Sequence, residues 1–453
     1  MSVEFSSRHF RSSLSNGADR GGLADLFPRM LALVFALVIG ALVGLVTFGC
    51  FKLIAAISGL WAPELPQDLL AVEWQYSIAL GMTLLVSALI AGQLLQAIEG
   101  GRPHGPADLI HAAQHDRDPS GRNGFLSSLL GIVSVSGGAS VGIFGPLALL
   151  GGLITGFFGR LWHNGVPRDV WLGAGASAAV AAVFSAPLGA ALFAQEVISR
   201  RFSAYGFAPA LACGLGAYWV ADTLQGGAPL FQVGAAPELT LDTALIALAI
   251  GAICGLVMSL HILIAAASPM MGKLSGIPLS LRPLLPATVL FLLSPLLPHM
   301  LGSGFGTMAL AFEGALSLDL IFWLIVAKLL LASLCIGFGF FGDEVIPALF
   351  IGALLGAAVA TMLGNAGLAA IAPYAILGAT ASLAAVIGAP MAAIVIVLEM
   401  TDSYSWAALA AISVLVATQL SRALAARSSF DRQLEMRGVT VNDDHRPRSG
   451  WLR

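Results

Sequence analysis

The sequence predicts an all-α polytopic membrane protein built from two related halves, with many tilted and broken helices. Three observations carry this expectation. First, the 453-residue chain is 58% hydrophobic and 10% charged, with mean hydropathy +0.89, whereas a soluble domain carries roughly 25% charged residues. Second, its apolar runs are uneven and interrupted. Third, one stretch of the first half recurs in the second.

The elements follow in chain order. The opening residues are polar and carry Arg8, Arg11, Arg20 and Arg29. They lack the short apolar core and small-residue cleavage site of a signal peptide. Apolar segments then run roughly over 30–61, 76–98, 124–162, 170–200, 205–223, 241–267, 281–301, 320–364, 371–401 and 405–426. Several exceed the ~20 residues of one perpendicular span, and others fall short of it. Pro146, Pro187, Pro347 and Pro390 cut them. Irregular backbone at membrane depth is tolerated only where it lines a cavity or is buried in protein. The many glycines suit close helix packing. Arg422 lies near the end of the last apolar run, and Arg427, Arg432, Arg437, Arg446, Arg448 and Arg453 follow it. Basic flanks at both ends place both termini on the cytoplasmic side, which makes the expected number of full crossings even. The expected organisation is a cytoplasmic segment 1–29, a membrane domain 30–438 and a short tail 439–453. The two halves of the membrane domain cover about 30–223 and 241–438.

The repeat is legible in two places. GASAAVAAVFSAPLGAALFAQE, residues 175–196, aligns without a gap on GATASLAAVIGAPMAAIVIVLE, residues 378–399. Gly175 falls on Gly378, Pro187 on Pro390 and Glu196 on Glu399. Upstream, GIFGPLALLGG aligns with DEVIPALFIGA, placing Pro146 on Pro347 and Gly151 on Gly352. Paired broken helices in two related halves mark a transporter-like fold with its site near the midplane. A helix that starts at that depth presents unpaired N–H groups and a partial positive charge, and so holds an anion without a fixed cation. In GIFGP, Gly142 and Gly145 permit unusual backbone angles and Pro146 suits a first helical turn.

Other chemistries find little support. Cys50, Cys213, Cys254 and Cys335 all lie in apolar runs without Cys-x-x-Cys spacing, as buried packing residues do. No enzyme, cofactor, metal or nucleic-acid partner is expected.

These residues resemble the CLC family of chloride channels and chloride/proton antiporters. The resemblance rests on LEMTDSY (398–404), on the paired APLGAALFAQE and GAPMAAIVIVLE stretches, and on GSGFG (302–306). The Lys328 segment running into GFG, SSFDRQLEMRG (428–438) and the Pro106-to-Pro146 spacing add to it. It covers about residues 30–438. It implies a membrane-embedded homodimer with one anion pathway per subunit, inverted halves, and anion sites where helix N-termini converge. Glu196, Lys328 and Glu399, with Pro146 and Pro347, are expected to be structural.

The family's filter motifs are altered here. The first loop, usually Gly-Ser-Gly-Ile-Pro, reads Arg102-Pro103-His104-Gly105-Pro106, so the serine hydroxyl is replaced by Pro103, which offers not even an N–H. The second reads Gly142-Ile143-Phe144-Gly145-Pro146, with Phe144 where the family carries its gating glutamate. The third, usually Gly-x-Phe-x-Pro, reads Asp343-Glu344-Val345-Ile346-Pro347. Phe430 stands for the pore tyrosine, and Val197 for the inner proton-carrying glutamate.

Both ordinary proton stations are therefore apolar. The expected activity is passive movement of chloride or a similar small monovalent anion. Alternatives are proton-coupled antiport using Glu344 as a relocated gate, fluoride or bicarbonate selectivity, and a non-conducting scaffold. Phe144 either plugs the path or packs aside. Glu344 and Asp343 are either helix-start carboxylates or gates. His104 is a pH sensor or a packing residue. Arg102 is a vestibule attractor or a boundary residue.

Overall fold

A computed structural model describes residues 23–61, 74–115, 117–162, 166–227, 230–231, 238–402, 404–436 and 438. The basic residues Arg8, Arg11 and Arg20 and the tail from 439 lie outside the described residues, as does the terminal orientation that rests on them. Among the described residues seventeen α-helices follow in order. The first half holds α1 (Leu23–Ser58), α2 (Trp74–Ala97), α3 (Pro106–Gln114), α4 (Gly121–Ser136), α5 (Phe144–Leu161), α6 (Arg168–Phe184), α7 (Pro187–Phe193) and α8 (Ala204–Gln225). The second holds α9 (Leu241–Leu274), α10 (Leu284–Leu293), α11 (Phe305–Glu313), α12 (Leu318–Gly337), α13 (Val345–Met362), α14 (Leu368–Ile387), α15 (Pro390–Met400) and α16 (Ala407–Ala425). A terminal α17 (Ser429–Glu435) closes the fold. Among the described residues the one β feature is an isolated antiparallel bridge between Gly142 and Asp343.

Nine of the described helices are long and apolar enough to cross a membrane, which makes this an integral multi-pass membrane protein. α1 and α9, with 36 and 34 residues, reach about 50 Å at 1.5 Å per residue. A ~30 Å hydrocarbon core accommodates such a helix only by tilt or overhang. Leu45, Leu85, Leu256 and Trp323 stand exposed, as lipid-facing side chains do.

The packing order of the first half recurs in the second. α1 packs on α8 and α6, as α9 packs on α16 and α14; α5 packs on α6, as α13 packs on α14. The matched glycines explain why these crossings are close. A Cβ on Gly175 would lie 2.3 Å from the Gly151 carbonyl oxygen, and one on Gly378 would lie 2.1 Å from that of Gly352. Each α5–α6-type crossing is thus a backbone-to-backbone contact that no side chain fits.

The helix breaks recur too. Ser185 (φ 54) separates α6 from α7, and its aligned partner Gly388 (φ 72) separates α14 from α15. Pro187 and Pro390 then open the next helices, where a missing N–H costs nothing. Of the other two proline breaks, Pro146 and Pro347 each sit third in their helix, so α5 and α13 start two residues earlier, at Phe144 and Val345.

The two halves cap one another. The carboxylate of Glu399 accepts from the N–H groups of Leu188 (3.1 Å) and Gly189 (2.8 Å) at the start of α7. The carboxylate of Glu196 accepts from Met391 (3.4 Å) and Ala392 (2.9 Å) at the start of α15. Each half supplies the anion for the other half's helix N-terminus.

Candidate functional site

The starts of α5 and α13 meet head to head. The Gly142 N–H donates to the Asp343 carbonyl at 3.1 Å, and the Asp343 N–H donates back to the Gly142 carbonyl at 3.0 Å. These two residues match each other when Pro146 is aligned on Pro347, so the chain pairs equivalent positions of its own repeat. The site's approximate symmetry ends at their side chains, one of which is a hydrogen and the other a carboxylate.

That carboxylate is buried, with Asp343 4% exposed, and reaches both helices. Its Oδ2 accepts from the Gly145 N–H on α5 at 2.9 Å. Its Oδ1 accepts from Val345 at 2.7 Å and Ile346 at 3.1 Å on α13. Gly145 and Ile346 are again matched positions. A Cβ on Gly142 would sit 2.5 Å from both carboxylate oxygens, so a glycine at 142 makes room for the aspartate at 343.

Glu344 takes the opposite course. It precedes α13 but makes no capping bond to it, so the helix-start role open to it falls to Asp343. Its buried carboxylate instead accepts from the Ser429 hydroxyl at 2.5 Å. Ser429 belongs to α17 and adjoins the buried Phe430.

The first loop arrives beside this junction. A Cβ on Gly145 would lie 3.2 Å from Pro106 Cδ, and α17 packs on α3. Two of the loop's N–H groups are already engaged by side chains of α4 and α3, however. His104 donates from its backbone to Ser127 Oγ at 2.8 Å, and Gly105 donates to Asp108 Oδ2 at 2.7 Å. Arg102 pairs with Asp108 at 2.9 Å. Pro103 and His104 are half-buried.

Ile143 and Phe144 are both buried, and the Phe144 ring packs against Phe184 at 5.8 Å and Phe193 at 5.3 Å between centroids. The ring thus lies against α6 and α7, while the Asp343 carboxylate fills the space between α5 and α13. Val197, also buried, lies in the π-helical turn Ala194–Ser199 that extends α7.

Lys328 is fully buried. Its Nζ donates to the carbonyls of Gly302 (2.9 Å), Ser303 (3.4 Å) and Met300 (3.5 Å) and lies 5.0 Å from the centre of the Phe350 ring. It fastens the turn ahead of α11, as Ser127, its match in the first half, fastens the turn ahead of α3.

The four altered segments of the sequence therefore converge at α3, α5, α13 and α17. Reading the sequence missed Ser127 and Ser429. Ser429 stands beside a flagged residue, but its partner lies 85 positions away.

Residues 82–422 match the family model described as voltage gated chloride channel, more than half of the chain. The chain is 28% identical over 354 residues to the voltage-gated ClC-type chloride channel ClcB of Citrobacter koseri, covering 76% of this chain and 84% of that one. It is 30% identical over 308 residues to the H(+)/Cl(-) exchange transporter ClcA of the same organism, covering 64% of each. In fold it resembles a slow cyanobacterial Cl-/H+ antiporter, with TM-score 0.76, 21% identity and coverage of 90% of this chain and 97% of that one. It also resembles a CLC-type fluoride/proton antiporter, with TM-score 0.74, 23% identity and coverage of 89% and 98%. Head-to-head helix starts, paired halves and the family match converge on one conclusion: the chain belongs to the CLC family of anion-transport proteins.

Proposed function

We propose that this protein moves chloride or a similar small monovalent anion passively through the junction where α5 and α13 begin. The observation that supports this reading is the set of N–H groups from Gly145, Val345 and Ile346 turned toward a single negative charge. Such a seat binds an anion through helix dipoles rather than a fixed cation, and so weakly enough to release it. Phe144 and Val197, both apolar and buried, stand where the family resemblance puts its proton carriers, which favours passive movement.

A second reading is proton-coupled exchange through Glu344. It is supported by that buried carboxylate beside Phe430 and by the exchange activity named for ClcA and for the similar antiporter structures. Assembly follows the family reading, a homodimer in a bacterial inner membrane with both termini cytoplasmic. Exposed Leu188 and Met391 on α7 and α15 suit the subunit contact.

The test is reconstitution into liposomes with chloride, fluoride and bicarbonate in turn, recording anion efflux and external pH together. Efflux without proton movement supports passive transport. Uphill proton movement driven by the anion gradient supports exchange. No efflux of any anion overturns both.

A further inference from the structure

We propose that the groove between α1, α4 and α5 binds an anionic phospholipid: the groove takes an acyl chain, and arginines at one end take the phosphodiester.

The groove has a volume of about 380 Å³ and is lined by Leu42 and Val46 of α1, Gly121 and Phe125 of α4, and Phe157 and Phe158 of α5. It opens on the lipid-facing surface, where Phe125 is 57% and Phe157 55% exposed. α4 and α5 run antiparallel along it: Gly124 approaches Leu153, and Ser128, one turn further on, donates to the Pro146 carbonyl at 2.9 Å. Phe35 of α1 stacks on Trp162, just past the end of α5, with ring centroids 4.1 Å apart. The end of the groove at Gly121 is therefore where α4 begins, α5 ends and α1 enters.

Each of the three helices carries an arginine at that end. Arg122 and Phe125 are three apart on α4, and Phe157 and Arg160 are three apart on α5, so each of these arginines neighbours a phenylalanine of the groove. Arg29 lies six residues before Phe35 on α1, and Arg168 opens α6. The acids nearby are already engaged. Asp118 is shared by Arg160 (3.3 Å) and Arg168 (3.8 Å), Asp169 pairs with Arg201, and Glu99 accepts from the Asn123 side chain at 3.2 Å. Among the described residues Arg29 and Arg122 have no acidic partner. The apolar groove and the cationic end together specify the occupant. A soluble phosphate would meet the arginines and leave the groove bare, and a zwitterionic lipid would bring a second cation to a cationic end. A lipid with a net negative headgroup suits both, and the guanidinium fork matches its phosphate oxygens.

The experiment is native mass spectrometry of the detergent-purified protein, titrated with phosphatidylglycerol and with phosphatidylcholine of the same acyl chains. The wild type is compared with the double variant Arg122→Gln/Arg160→Gln and with Val46→Trp, each checked for melting temperature and oligomeric state. The wild type is expected to bind phosphatidylglycerol about tenfold tighter than phosphatidylcholine. The double variant is expected to lose that preference and to keep its phosphatidylcholine binding. Val46→Trp fills the groove and is expected to weaken both lipids alike. Should the double variant not fold, Arg29→Gln/Arg122→Gln, at the two residues without acidic partners, carries the same expectation. Equal affinity of the wild type for the two lipids would overturn the proposal, as would an undiminished preference in the arginine variants. Displacement of the lipid by an equal concentration of glycerol phosphate would overturn it in favour of a soluble-anion site. Dissociation of an oligomer by Val46→Trp would overturn it in favour of a contact between two copies of the chain.

Discussion

Two adjacent carboxylates end up with different partners because the chain turns between them. Asp343 still lies in the paired backbone with Gly142 and points back across the junction, while Glu344 is held against α17. This separates their expected effects. Glu344→Gln keeps the Ser429 partner and loses only the ionisable proton. It is expected to leave anion binding within about twofold and to abolish any proton movement coupled to the anion gradient. Persistent coupled proton movement in that variant would exclude Glu344 as the carrier. Phe144 is a different case. Its ring is core for α6 and α7, so Phe144→Ala is expected to lower stability by about 3 kcal/mol and to change flux per folded protein by less than about twofold. A tenfold rise in flux would show that the ring obstructs the path. Residue types at these positions were legible in the sequence. Their partners were not, since the bonds from Asp343 to Gly145 and from Glu344 to Ser429 span 198 and 85 positions.

At the scale of elements, the short helices α7 and α15 depend on each other's half. A seven-residue helix such as α7 is marginal alone, and its first N–H groups need an acceptor. Glu399→Ala removes the acceptor of Leu188 and Gly189 and is expected to cost about 2 kcal/mol, read as a lowered melting temperature in detergent. Glu196→Ala is expected to do the same through Met391 and Ala392, and Gln at either position to recover part of the loss. Equal melting temperatures for Ala and wild type would contradict the cross-capping account. The close crossings give a harsher test. Gly378→Val drives a branched side chain into the Gly352 carbonyl and is expected to abolish accumulation of folded protein, whereas valine at the open site Gly49 is expected to be tolerated. The sequence disclosed the breaks through proline and aligned glycines. It could not disclose that α5 and α13 start two residues ahead of their prolines, because hydrogen bonds decide a helix start and proline only limits it.

At the scale of the whole molecule, the matched pairs Gly151/Gly352, Gly175/Gly378 and Glu196/Glu399 were the legible trace of the architecture, and each proved to occupy equivalent contacts in the two halves. Less legible was where the halves break their symmetry. A single alignment column, Gly142 against Asp343, shows only that two residues differ, while the fold places that difference where the two helix starts face each other. The account as a whole asserts that this junction is an anion seat. The direct measurement is anomalous diffraction from bromide-soaked crystals of Asp343→Ala. The account predicts a bromide peak within hydrogen-bonding distance of the Gly145, Val345 and Ile346 N–H groups. A well-ordered junction with no bromide between α5 and α13 would contradict it.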